Sequence, residues 1–435
     1  MLLKSLAQWR SRKDHKPLIL HGARQVGKTW LLKEFGRRFY TNTAYINFEA
    51  DKSVHSLFNS DLDIPRLLLG LRIAANAPIE GDSTLIVFDE VQECPRALAA
   101  LKYFRETAPQ YHIAAAGSLL GVAMHADTSF PVGNAEILDL RPLCFKEFLD
   151  AVGDGALSEA LGTGDWSLVE ALRPRYLERL KQYFIVGGMP EAVASFVSSG
   201  DMAAVRGIQK ALLASYEQDF SKHAGSAIVP RIRSVWRSLP THLAREQRKF
   251  VYGLVREGAR AREYEGAIEW LRDSGLALKC RNVTKPGIPL RAYWEDGHFK
   301  LFMHDVGLLG ALADLPQRII LDDTALFEEF KGALTEQYAH QELRVLWDGD
   351  ASYWSNPGSR AEVDFLIQTE SAVYPLEVKA GENLQSKSLK VFRDKFSPPL
   401  CLRTSLSPWR QEQWLVNIPL YALSRIPVVV EGRSC

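Results

Sequence analysis

The sequence has little cysteine, no long apolar run and almost no net charge. Its five cysteines, Cys94, Cys144, Cys280, Cys401 and Cys435, are scattered and odd in number. No two have the close spacing of a zinc site, and no disulfide framework is suggested, so free thiols in a reducing compartment are expected. Nowhere do about eighteen apolar residues follow one another, so no membrane span is expected. The apolar start Met1-Leu2-Leu3 is followed at once by charge, which is unlike a signal peptide. The expected location is the cytoplasm. Lys and Arg number 53 against 52 Asp and Glu, a formal net charge of +1. No global imbalance points to a polyanion, although a local basic surface could still hold one. No internal repeat or low-complexity linker marks a boundary. The 435 residues, 46% hydrophobic and 24% charged, are ordinary for globular protein, with room for about three domains.

Up to about residue 140, short apolar runs alternate with helical patterns. Leu18-Ile19-Leu20, Tyr45-Ile46-Asn47-Phe48, Leu85-Ile86-Val87-Phe88 and Ile113-Ala114-Ala115-Ala116 read as buried parallel strands, with Ile137-Leu138-Asp139-Leu140 a fifth. This is the α/β pattern, a parallel sheet with helices on both faces. From Pro142 to about Ala227 the pattern is helical, broken at Gly187-Gly188-Met189-Pro190. Helices and short strand-like runs around Leu276–Arg281, Leu290–Trp294 and Phe299–Met303 follow. After Thr324 a helix leads into alternating strand signals.

Chemistry enters at Gly22-Ala23-Arg24-Gln25-Val26-Gly27-Lys28-Thr29, which fits GxxxxGK[ST] between a strand and a helix. Glycines let such a loop curl its N–H groups onto phosphate oxygens, aided by the helix N-terminus. Lys28 is expected to reach the terminal phosphates of ATP, and the Thr29 hydroxyl to ligate Mg2+. Leu85 to Phe88 then deliver Asp89 and Glu90 at a strand end, where Asp89 would sit near the metal and Glu90 polarise the attacking water. An acidic pair there is otherwise a helix cap. Ser118, after the next strand, reads equally as a γ-phosphate sensor or as a turn or helix cap.

A second constellation lies near the C-terminus. Glu362-Val363-Asp364-Phe365-Leu366-Ile367 and Tyr374-Pro375-Leu376-Glu377-Val378-Lys379 read as strands. Glu377 and Lys379 are two apart and share a face, with Asp364 able to lie beside them in a hairpin. Glu336 lies in the helix-like stretch Ala333–Leu343. Carboxylates to hold a divalent metal and a lysine beside them suit phosphodiester cleavage. Glu336, Asp364 and Glu377 are therefore expected around one metal with Lys379 adjacent, and Glu362 could substitute for Asp364. The alternative is a solvated sheet face.

Between the two, Phe250–Val255 and Arg260–Ser274 followed by Leu276–Arg281 read as helix, turn, helix, wing. Tyr264, Ala267, Ile268 and Leu271 recur at helical spacing. Arg245, Arg248, Lys249, Arg256, Arg260 and Arg262 give local positive charge suited to DNA phosphates. Interleaved Glu257, Glu263, Glu265 and Glu269 equally suit a protein-contact module.

With these motifs in order, the chain resembles a widespread family of bacterial and archaeal AAA+ ATPases that join a P-loop domain to a restriction-endonuclease-like, PD-(D/E)xK-type C-terminal domain. Its markers are Gly22–Thr29, Phe88-Asp89-Glu90-Val91-Gln92, Pro142–Phe148, Phe184–Pro190, and Glu362–Phe365 with Glu377-Val378-Lys379. The resemblance implies an AAA+ domain at 1–141, a helical lid or linker at 142–230, a winged-helix-like domain at 231–323 and a nuclease-like domain at 324–435. It implies ATP and Mg2+ as cofactors and assembly as a homo-oligomer. Ala116-Gly117-Ser118 and Gly133-Asn134 depart from the family's usual Thr-Gly-Ser and Gly-Arg or Gly-Lys, so no arginine finger is assigned. Three activities remain open: a DNA-directed ATPase with metal-dependent cleavage, a nucleotide-switched regulator with a silent nuclease-like domain, and an ATPase acting on a protein partner.

Overall fold

Apolar residues on both sides of a strand need cover on both sides, and the first strands show it. In a computed structural model, which describes residues 2–118, 121, 133–245, 248–322, 328–356, 359, 361–382 and 385–432, they are β1 (Leu18–His21), β2 (Asn42–Asn47), β3 (Thr84–Asp89), β4 (His112–Ala116) and β5 (Glu136–Asp139). Cys435 and the expected boundary between 323 and 324 lie outside the described residues. All pairings are parallel and the strand order is β2-β3-β4-β1-β5. Strand alternation divides the core in two. Ile19, Ile46, Phe48, Ile86 and Phe88 pack on one face. Leu18, Leu20, Leu85 and Val87 pack on the other, against Leu31, Leu32 and Phe35 of the helix Lys28–Phe39. Every residue of β3 and β4 is buried, as expected for strands covered on both sides.

The chain divides into two units, Met1–Arg141 with Asp273–Leu276, and Pro142–Arg272 with Ala277–Cys435. The second unit carries an eight-stranded mixed sheet of β6 (Ala277–Val283), β7 (Trp294–Met303), β8 (Ala351–Ser355), β9 (Glu362–Gln368), β10 (Val373–Val378), β11 (Cys401–Ser405), β12 (Arg410–Gln411) and β13 (Leu415–Pro419). Its order is β12-β13-β11-β10-β9-β8-β6-β7.

Two expectations need correction here. The strand read as the wing of a winged helix, β6, pairs with β7 and, in parallel, with β8, so that β6 and β7 form one edge of this sheet. Leu290–Tyr293 is a 3-10 turn, not a strand. The helical spacing at 264–271 does bury Tyr264, Ala267, Ile268 and Leu271 in the helix Ala261–Asp273.

One irregularity positions the second site. Two steps along β8, Ser352 to Trp354, match three along β9, Leu366 to Val363. Such a bulge breaks alternation, so neighbours in sequence can face the same way. Phe365 packs against Phe302 and His340. Asp364 points to Lys300, which shares a face with Phe302 two residues on.

Candidate functional site

The loop between β1 and the helix Lys28–Phe39 owes its shape to two glycines. Gly22 has φ 152° and Gly27 φ 98°, both unfavourable for residues with a Cβ. At Gly22 a Cβ would also lie 2.3 Å from the Leu140 carbonyl oxygen. Lys28 is buried, and its Nζ donates to the Gly22 and Ala23 carbonyls, 2.8 Å each. Burial is the main influence on this ammonium and lowers its pKa to about 8, against the pull of Glu90 and Asp89.

The next residue reaches the acidic pair. Thr29 Oγ1 donates to Asp89 Oδ2 at 2.8 Å. Asp89, at the end of β3, also accepts from the Tyr45 hydroxyl at 2.6 Å. Glu90 sits in the left-handed region, φ 48°, which costs a non-glycine residue about 1–2 kcal/mol. In this conformation its Oε2 accepts from Ser118 Oγ at 3.1 Å and from Gln92 Nε2 at 2.7 Å. Thr29 is thus tied to Asp89 and Ser118 to Glu90, from two strand ends and one helix N-terminus, with the Lys28 ammonium held on the phosphate loop. The oxygens of Thr29 and Asp89 suit a hard divalent cation, and the curled loop with its buried ammonium suits phosphate.

Nothing local in the sequence marks Tyr45 or Gln92 as site residues. Tyr45 stood inside an apolar strand reading, where nothing marked its hydroxyl. Its position two residues before Asn47, which pairs with Asp89 across β2 and β3, could have flagged it. Burial and the bond to Asp89 raise the Tyr45 pKa to about 12.

The C-terminal carboxylates are arranged differently from expectation. Glu336 Oε1 accepts from Lys300 Nζ at 2.9 Å, and its Oε2 accepts from the Arg248 guanidinium. Lys300 Nζ also lies 2.6 Å from Glu362 Oε1 and 3.9 Å from Asp364 Oδ1. Arg248 is 4.0 Å from Asp364 Oδ1. Burial works against charge on Lys300, yet Glu336, Glu362 and Asp364 outweigh it and hold its pKa well above the ordinary value. Burial likewise disfavours the Glu336 anion, and Arg248 and Lys300 overcome it, leaving its pKa lowered. Asp364 goes the other way, pushed up to about 7 by burial and then by Glu336. Its Oδ2 accepts from the Val378 N–H at 2.8 Å.

Glu377 is not part of this group. Its Oε1 meets Lys379 Nζ at 2.7 Å, and its other oxygen is buried without a hydrogen-bond partner. In register it stands beside Arg403 of β11. Among the described residues no three His, Cys, Asp or Glu side chains are placed to hold a metal ion. The expected sharing of one metal by Glu336, Asp364 and Glu377, with Lys379 beside it, is corrected accordingly. The reason is twofold: the β9 bulge turns Asp364 toward Lys300, and two buried cations already balance the carboxylates. Arg248, read as part of a DNA-facing charge, is one of them. The other, Lys300, is absent from the sequence-based candidates, although a lone lysine in the apolar run Phe299-Lys300-Leu301-Phe302-Met303 is a visible signal.

Residues 14–149 match the family model described as "AAA domain". Residues 177–318 and 331–422 match two families described only as domains of unknown function, DUF8612 and DUF4143. No curated protein matches the chain. Among solved structures, a Walker-type ATPase of Pyrococcus abyssi is similar at 16% identity and TM-score 0.46, covering 72% of this chain and 94% of its own. The ORC1 protein of Aeropyrum pernix in complex with DNA is similar at 15% identity and TM-score 0.24, covering 74% and 92%. Cdc6p of Pyrobaculum aerophilum follows at 12% and 0.26, covering 74% and 93%. Likenesses this weak carry no argument about activity. Among the described residues no helix is long and apolar enough to cross a membrane.

Proposed function

From the ATPase domain of AAA type at residues 14–149, we propose that the chain is a nucleotide-switched ATPase that engages nucleic acid without cutting it. The observation that carries the first part is the set Lys28, Thr29, Asp89, Glu90 and Ser118. In this reading the backbone of Gly22–Thr29 and the Lys28 ammonium hold the phosphates of ATP. Thr29 and Asp89 hold magnesium, which when bound neutralises phosphate charge. Glu90 orients the attacking water and accepts its proton, and Ser118 fixes the Glu90 carboxylate. A bond from Ser118 to Glu90 lets a change at the phosphates reach β4 as well as β3. Assembly as a homo-oligomer belongs to the same reading, tested by light scattering with and without ATP.

What supports the non-cutting part is the charge balance around Glu336. A metal-dependent nuclease needs carboxylates available to a cation. Here Lys300 and Arg248 already serve that purpose, and Glu377 stands apart with Lys379. In this reading residues 324–435 keep a nuclease-like arrangement of strands with silent chemistry. One experiment addresses both parts: ATP turnover, and binding and cleavage of linear and branched DNA with Mg2+ or Mn2+, on wild type, Glu90→Gln and Asp364→Ala. Turnover lost only in Glu90→Gln, with binding by wild type and no cleavage in any sample, is the expected result. Cleavage by wild type that Asp364→Ala abolishes overturns the silent reading.

A further inference from the structure

The helix Lys387–Phe396 begins beside a cavity of about 560 Å³. Lys387 and Lys390 line it, three residues apart on the helix and so neighbours on its surface. Both are exposed, and among the described residues neither has an ion-pair partner. Arg403 of β11 also lines it, with only 2% of its surface exposed. That guanidinium is locked in place, Nε donating to Asn417 Oδ1 at 3.0 Å and Nη1 to Ser386 Oγ at 3.1 Å. The one carboxylate in the lining, Glu412, is held by Arg410 at 3.2 Å. Trp414 supplies an aromatic wall, steadied by the Arg393 guanidinium 4.5 Å from its ring centroid.

Three cations against one engaged carboxylate make the cavity attractive to anions, and the indole adds a flat apolar surface. We propose that this cavity binds single-stranded nucleic acid, one base lying against Trp414 and the adjoining phosphates meeting Lys387, Lys390 and Arg403. Base stacking on an aromatic side chain together with cationic phosphate contacts is how sequence-tolerant single-strand sites work. The volume suits a unit the size of one nucleotide. A base in a duplex is already stacked and must be extruded before it can enter. The site rests on the proposed function above and names the partner class for its binding half.

The test is fluorescence anisotropy of a labelled oligothymidylate with the full chain, across a salt series. Lys387→Glu/Lys390→Glu is compared with wild type, and Lys387→Gln/Lys390→Gln serves if the charge reversal lowers thermal stability. The affinity is expected to fall at least about tenfold in the reversal variant. The log–log salt slope should shrink by roughly 1.4, near 0.7 for each lost single-strand phosphate contact. Trp414→Phe should keep most of the affinity, since a ring remains to stack on. Equal affinity and slope in wild type and both lysine variants overturn the proposal. So does a matched duplex that binds as tightly as the single strand, or inorganic phosphate that displaces the strand at equal phosphate concentration. ATP turnover without DNA is measured in parallel and should be unchanged by the lysine variants. A wild type that binds the strand through these lysines but does not turn over ATP leaves the cavity standing and removes the switch.

Discussion

Lys300 and Glu336 face one another at 2.9 Å with their side chains withdrawn from water, 0% and 1% exposed. Neither charge is tolerable there alone. Lys300→Met leaves Glu336 with Arg248 only, and removing one partner of a buried pair typically costs about 3–5 kcal/mol. Urea unfolding should show a loss of that order. The double variant Lys300→Met/Glu336→Leu should recover part of it, which a double-mutant cycle measures.

Asp364 gives the second unit a pH signature. Its pKa rises from 3.8 to about 7 on folding, so the folded protein holds a proton that the unfolded chain releases. Its stabilisation is full below the unfolded value and is lost as pH rises through about 7. Asp364→Asn should flatten that part of the stability profile. Thermal melts between mildly acidic and mildly alkaline pH read it out; an unchanged slope counts against the assignment.

Lys28→Ala should abolish tight ATP binding, because the loop loses the ammonium directed into it. In wild type the affinity should also fall as pH rises through about 8, where this buried ammonium begins to lose its proton. Bound phosphate opposes that loss, so the decline should be shallow. Calorimetric titration with ATP over a pH series checks both statements.

Glu90→Gln should bind ATP as wild type does and lose at least about a hundredfold in turnover, the usual range for removing a general base. Ser118→Ala, which removes only the 3.1 Å bond to Glu90, should cost far less. Steady-state ATP hydrolysis separates the two, and equal losses would place Ser118 in direct contact with the phosphates instead.

Tyr45→Phe removes one hydroxyl donor to Asp89, worth about 1.5–3 kcal/mol for a bond to a charged group. The expected effect is a severalfold higher Mg2+ concentration for half-maximal turnover, with ATP affinity in the absence of metal unchanged. A magnesium titration of turnover tests it.

The first site was legible because its chemistry is local. Gly22–Thr29 and Asp89–Glu90 each declare themselves within a few residues, at strand ends that apolar runs announce. Tyr45 was not, since its part in the site depends on strand pairing, not on its own surroundings in sequence. The second site was legible only as an inventory. Glu336, Asp364, Glu377 and Lys379 stand out as candidates by residue type and spacing, but the regular alternation that spacing implies does not hold in β9. One extra residue there changed the direction in which Asp364 points. The cations that settle the charge, Lys300 and Arg248, lie 36 and 88 residues from Glu336, and no local pattern ties them to it. The middle strands were seen, but their partner β8 comes later in the chain, so a self-contained wing was the natural reading.

The strand order of the first sheet has a consequence for synthesis. Among the described residues β1 pairs only with β4 and β5, Leu18 standing beside Ala114 on one side and Glu136 on the other. About a hundred residues must leave the ribosome before the strand that begins the phosphate loop finds either neighbour, a long closure that slows folding. A nascent chain halted before His112 carries every residue of that loop but not the walls that give it shape. Nucleotide should therefore bind such a halted chain poorly, and first bind well once β4 and β5 have emerged.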